Sequence, residues 1–188
     1  MKKILLIILS FVIVVLGFEL ENYVYGAGFE ISQSYWSNPT QIKTYIPPNH
    51  KYSAKFKRAC AEWSRLTKDG IVFKYVTNEK DAQIRVYFVK TIPSNLYADS
   101  AAGLTQSIGY INGRLGGARI WIADFTRYGK LSDDEIYTSM LHELGHAIGL
   151  GHSTNKNSIM YPSTLHTRTM EISNEDLGLL AKKYGWKK

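Results

Sequence analysis

Three of the chain's five histidines fall in one short run, His142-Glu143-Leu144-Gly145-His146-Ala147-Ile148-Gly149-Leu150-Gly151-His152. That run constrains the fold more than any other segment. Its upstream flank predicts a helix: Ser132 and Glu135 make an S-x-x-E capping box, and Asp133 and Asp134 suit the positive end of the helix dipole. Ile136, Met140, Leu144, Ala147 and Ile148 form the buried stripe. Residues four apart stack on one helix face, so the His142 and His146 imidazoles converge on one point. Glu143, about 100° round the helix, can reach a water there without being a ligand. Gly149 ends the helix and permits the sharp turn that would return His152 as a third ligand. The geometry suits zinc.

H-E-x-x-H alone turns up by chance on ordinary helices. With Gly149 and His152 added at the required spacing, a chance match in a chain this size is far rarer than roughly one in a thousand. His50 and His166 stand apart and read as surface or local hydrogen-bonding residues.

The composition bounds the rest. With 188 residues, 45% hydrophobic and 21% charged, the chain reads as one globular domain, without a second domain, a repeat architecture or a low-complexity tract. Lys2, Lys3 and the uncharged, mostly apolar stretch 4–18 read as an export signal, too short for a spanning helix. Cleavage near Val24-Tyr25-Gly26 or Tyr25-Gly26-Ala27 would leave 27–188 as the mature domain; uncleaved, residues 4–18 would serve as a membrane anchor. Export is expected either way, to a secreted or outward-facing anchored location. A single cysteine, Cys60, excludes an internal disulfide, so stability outside the cell must come from packing, to which a metal can add. The formal charge of +7 is spread along the chain, which favours anionic surroundings but does not indicate a nucleic-acid partner.

Along the mature chain, Gln41 to Ile46 reads as a strand stopped by Pro47-Pro48. Tyr52, Phe56, Ala59, Cys60, Trp63 and Leu66 mark the buried stripe of a helix from Ser53 to Thr67, with Cys60 a core thiol. Ile71 to Val76 and Gln83 to Lys90 read as strands. Thr91 to Gly117, dense in turn-prone residues, reads as a loop with an extended piece at Gly103 to Ser107, and Ala118 to Ala123 as another strand. A last helix is expected over Asn174 to Tyr184, between Ser173 and Gly185. The resulting order, β-α-β-β-β-β-α-α, predicts an α/β (α+β) fold with helices packed on one mixed, twisted sheet.

The stretch Leu141 to Pro162, LHELGHAIGLGHSTNKNSIMYP, resembles the zinc-binding helix and Met-turn of the metzincin metallopeptidases. Ser153 directly after the third histidine, and the Met-x-Pro form of Met160-Tyr161-Pro162, resemble the matrixins in particular. The helix bearing Trp63, the strand Asp81 to Lys90 and the closing helix follow the matrixin order, so the similarity covers about residues 35 to 186. The resemblance implies a zincin-like fold and one catalytic zinc held by His142, His146 and His152, with Glu143 as general base. It places Met160 as an apolar floor beneath the histidines. It also makes Gly103, Leu104 and Thr105 an edge strand that holds a peptide, with Pro162 and Ser163 to His166 lining the specificity pocket. Matrixins usually carry a second, structural zinc in the loop before the last strand, but Thr91 to Asp124 contains no histidine. Calcium, also found in the family, matches no residue pattern here and stays open. No cysteine-switch propeptide is visible.

The reading that follows is an exported zinc endopeptidase acting on protein or peptide substrates, expected to be monomeric. A zinc amidase acting on cell-wall peptide would use the same triad, and a non-catalytic zinc-binding adhesin or toxin component would bind the metal without turnover. A purely structural zinc is disfavoured, because Glu143 would have no purpose and three ligands leave an open position.

Overall fold

A computed structural model describes residues 34–162 and 171–186. The readings made for residues 1–26, for Ser163 to His166 and for His166 itself lie outside these. Five strands form the main sheet: β1 (Ile42–Tyr45), β2 (Phe73–Tyr75), β3 (Ile84–Val89), β4 (Gly103–Ile111) and β5 (Arg114–Ala123), in the order β2-β1-β3-β5-β4. All neighbours are parallel except β4, which runs antiparallel to β5 at the sheet edge. Parallel neighbours need crossovers, and the helix α1 (Ser53–Leu66) supplies the one from β1 to β2. The expected mixed sheet with packed helices is what the chain forms.

Alternation along the strands decides which face is buried. Ile42, Ile84, Val86, Ala118, Ile120 and Ile122 share one core with Phe56, Ala59, Cys60 and Trp63 of α1. The same core takes in Ile136, Met140, Leu141 and Leu144 of α2 (Asp133–Ala147). The Trp63 indole N–H donates to the Leu141 carbonyl at 3.0 Å, fixing α1 against the helix that carries the histidines. Tyr87, Trp121 and Leu104 lie on the opposite face, where Ile92 and Leu96 of the following loop cover them.

The segment 91–117 corrects the sequence reading. It is not a loop with a short extended piece: β4 runs on to Ile111, and β5 begins at Arg114, ahead of the expected Ala118. Asn112 and Gly113, with φ of 52° and 77°, make a two-residue hairpin turn. Gly109 and Gly116 lie within the paired strands, so they are not the loop residues their composition suggests. A second small hairpin, β6 (Phe125–Thr126) with β7 (Gly129–Lys130), was not expected, because two-residue strands carry no periodicity to read. The remaining strands lie within one or two residues of the expected limits.

The closing helix α3 (Asn174–Tyr184) ends at Gly185, as expected. It returns the chain to the C-terminal end of α2, where helix carbonyls need partners. The Tyr184 hydroxyl donates to the Ile148 carbonyl at 2.9 Å, and the Trp36 indole donates to the Ala147 carbonyl at 2.8 Å. Both ends of the described chain thus anchor the end of the helix at which the histidines sit. Among the described residues no helix is long and apolar enough to cross a membrane.

Candidate metal centre

The capping box forms as the sequence suggests: the Ser132 hydroxyl accepts from the Glu135 amide, and Glu135 Oε2 accepts from the Ser132 amide at 2.7 Å. From this start α2 runs into the core until His142, Glu143, Leu144 and Gly145 are all buried. After Ile148, Gly149 adopts φ 105°, and the chain leaves the helix. A side chain here would meet the Ser34 carbonyl oxygen at 2.6 Å, so both the angle and the space select glycine. The turn brings His152 back beside the other two histidines. Their ring centroids lie 4.6 Å apart for His142 and His146, 5.3 Å for His142 and His152, and 4.7 Å for His146 and His152.

One nitrogen from each of the three rings lies within 4.8 Å of the others. The hydrogen bonds fix two of the tautomers. His142 Nδ1 is 2.7 Å from the Ile159 carbonyl oxygen, and His146 Nδ1 is 2.9 Å from that of Leu150. A carbonyl oxygen only accepts, so each Nδ1 carries its hydrogen and each neutral ring turns an Nε2 lone pair inward. Those two Nε2 atoms are 3.0 Å apart. Two lone pairs at that separation converge as the donors to one cation do. Burial keeps the rings neutral: it lowers His142 to about 4, against the opposing bond to Ile159, and lowers His152. His146 is pushed well below its ordinary value by burial, and further by His142 and His152. Three neutral nitrogen donors, two oriented by backbone carbonyls, fit zinc.

Below the rings the chain turns at 158–161. Ser153 donates its amide to the Met160 carbonyl at 2.9 Å, which brings the turn alongside His152. Met160 is buried against α2 so closely that a Cβ on Gly145 would fall 2.3 Å from its sulfur. The turn is also pinned from α3, through Ser158 and the fully buried Asp176.

Glu143 is 6% exposed, and its carboxyl is pushed up to about 7 by burial, with the Thr105 hydroxyl acting in the opposite direction. That hydroxyl stands 2.7 Å from Glu143 Oε2. Gly103 lies against the same side chain, where a Cβ would come 2.6 Å from Glu143 Cγ. Gly103 and Thr105 therefore face the helix, whereas the Leu104 side chain packs on the outer face of the sheet. Pro162 is exposed where the turn ends. His50 lies apart from the triad, stacked on Phe88 at 4.5 Å and accepting the Tyr52 amide at 3.3 Å. A cavity of about 710 Å³ lined by Lys51, Lys55, Lys130 and Glu135 opens at the other end of α2, away from the histidines.

Sequence reasoning did not single out Trp36, Tyr184, Ser158 or Asp176. Of these only Asp176 carried a local signal, standing three residues after Ser173 in a second capping box.

A mixed five-stranded sheet, a helix carrying two of three convergent histidines, and a methionine turn beneath them define a metzincin metallopeptidase domain. The Matrixin family model matches residues 36–185, and the chain belongs to the matrixin family, whose members use a catalytic zinc. It is 33% identical over 161 residues to a matrix-metalloproteinase-type protein of Trichoplusia ni ascovirus 2c, an alignment taking in 75% of this chain and 32% of that protein. To metalloendoproteinase 1 of Glycine max it is 28% identical, over 78% of this chain and 51% of the relative. To the interstitial collagenase of Equus caballus it is 27% identical, over 77% and 31%. The chain thus spans between about a third and a half of the length of these relatives.

Proposed function

We propose that this chain is an exported zinc-dependent endopeptidase that hydrolyses peptide bonds in proteins or peptides outside the cell. The observation that carries the reading is the pair of inward-facing Nε2 lone pairs of His142 and His146, 3.0 Å apart, on the same helix turn as a buried carboxylate. His142, His146 and His152 hold the metal, and Met160 underlies them. Bound there, zinc would supply Lewis acidity toward the scissile carbonyl and the attacking water.

Glu143 takes the proton from that water and delivers it to the leaving amine, a role worth about 10²–10⁴ in rate. Its burial suits it to the task, because a carboxyl raised to about 7 can both accept and release a proton near neutral pH. The backbone of Gly103, Leu104 and Thr105 holds the substrate in extended form along β4, an edge strand of the sheet. Pro162 leads into the pocket that selects the side chain next to the cleaved bond. Residues 27–188 make up the catalytic domain, and 1–26 direct export as a signal or an anchor.

The test is hydrolysis of casein, and in parallel of purified cell wall, by the purified chain beside E143A and a chelator-treated sample. Casein cleavage that disappears in both controls is expected. Release of wall peptide without casein cleavage would make the enzyme an amidase, and bound zinc with no turnover on either would make it a binding module.

A further inference from the structure

We propose that Thr105 positions the Glu143 carboxylate, its hydroxyl donating to Oε2 so that Oε1 is the atom that takes the proton from water. The inference rests on the endopeptidase reading and gives Thr105 a task beyond lending backbone to a substrate.

Thr105 Oγ1 is 2.7 Å from Glu143 Oε2 and 3.0 Å from the Glu143 carbonyl oxygen. A hydroxyl has one hydrogen, and both neighbours are acceptors. The shorter contact, to the charged group, takes it, because hydrogen bonds to ionised acceptors are the stronger ones. Among the described residues no other side chain donates to this carboxylate, and at 6% exposure water has little access to replace the donor.

Gly103 completes the seat. It stands two residues before Thr105 and so faces the same way from β4, and the space a side chain would fill is taken by Glu143 Cγ and Oε1, 2.6 and 2.8 Å from the position of its Cβ. Glutamate has rotatable bonds that must be frozen before it can act as a base. One contact of shape and one hydrogen bond freeze them, both from a strand held in register: Thr105 pairs with Ile120 and Gly103 with Ile122 on β5. A site built on a paired strand holds its geometry better than one on a loop.

With Oε2 engaged, the proton balance follows. Water gives a proton to Oε1 as its oxygen bonds the scissile carbonyl carbon. The same proton passes from Oε1 to the amide nitrogen as the C–N bond breaks. Oε2 keeps its hydrogen bond throughout, so the carboxylate need not rotate between the two transfers.

The experiment compares T105V, which keeps the shape and loses the donor, with T105S, which keeps the donor, in the full chain on an internally quenched peptide. For T105V we expect kcat to fall about 10- to 100-fold, KM to stay within about twofold and zinc content to be unchanged, the size set by loss of a hydrogen bond to a charged group. T105S should recover most of kcat. A rise in KM with kcat intact would make Thr105 a substrate-binding residue, and equal losses in T105V and T105S would make it a packing residue; either overturns the proposal. Crystal structures of the wild type and T105V give a readout that needs no turnover. The Glu143 carboxylate should leave its place against β4 in T105V, and an unmoved carboxylate would also overturn the proposal. If the wild type cleaves nothing, the endopeptidase reading fails while the crystallographic comparison still decides the placement.

Discussion

Ser158 donates its hydroxyl hydrogen to Asp176 at 2.6 Å and accepts the Met160 amide at 2.9 Å, which ties the methionine turn to the closing helix. Asp176 is fully buried and also accepts from the Ser173 amide at 2.9 Å and the Ser173 hydroxyl at 2.7 Å. One carboxylate therefore caps α3 and braces the segment whose Ile159 carbonyl orients His142.

Replacing Asp176 by Ala leaves three donors without an acceptor: the buried Ser158 hydroxyl, whose loss of a partner costs about 1–3 kcal/mol, and the half-buried Ser173 amide and hydroxyl, whose part of the α3 cap is worth about 1 kcal/mol. D176A is expected to lose about 2–4 kcal/mol of stability, seen as a Tm lowered by roughly 10 °C for a domain of this size. Loosening the turn should weaken zinc binding as well, by about tenfold, within the range found for groups that orient metal ligands. Thermal melts and a competition titration against a zinc chelator check the two effects. A wild-type Tm in D176A would mean that the turn is held by other contacts.

Gly145 and Met160 give a second prediction. A methyl group added at Gly145 would sit 2.3 Å from the Met160 sulfur and 3.3 Å from Trp63 Cζ2, inside a packed core. G145A should cost about 1–3 kcal/mol by overpacking, whereas M160L, which nearly conserves volume, should cost less than about 1.5 kcal/mol. Chemical denaturation of the two variants makes the comparison. If G145A is the milder change, the methionine has room to move, and its role as a fixed floor is lost.

These contacts show what a sequence can reveal and what it cannot. The α2 cap and the spacing of His142, His146 and His152 are local relations along one helix and its exit, so residue types and intervals suffice to read them. The Asn112-Gly113 turn was visible only as one turn-prone pair among several between 91 and 117. Which pair bends the chain is decided by register with β5, a tertiary matter, and Gly109 and Gly116 look the same in composition although they lie inside the hairpin. Thr105 and Glu143 are 38 residues apart, and Trp36 and Ala147 are 111 apart. No periodicity connects such pairs.

Cys60 is 1% exposed in the α1 stripe, and burial pushes its thiol far above the usual range. The thiolate is the reactive form, so the folded protein should be inert to thiol reagents at pH 8. Raising the pKa lowers the thiolate fraction at any fixed pH. Ellman's reagent should titrate no thiol in the native protein and one in guanidinium chloride, with modification following the unfolding rate. Rapid labelling of the native state would place Cys60 outside the core.

The roles proposed for Glu143 and His146 separate metal binding from chemistry. Both are on α2, yet only the histidine turns a ring nitrogen toward the other two rings. E143A removes the proposed base and leaves the three nitrogens, so it should keep one zinc per chain and lose about 10²–10⁴ in kcat. H146A removes one donor of three and should lose both zinc and turnover. Chelation of the wild type should reproduce the loss of turnover, and added zinc should reverse it in the wild type but not in H146A. Metal analysis and peptide hydrolysis on the same samples decide the matter: H146A with full zinc and full activity would break the ligand assignment, and E143A with wild-type kcat would move the base elsewhere.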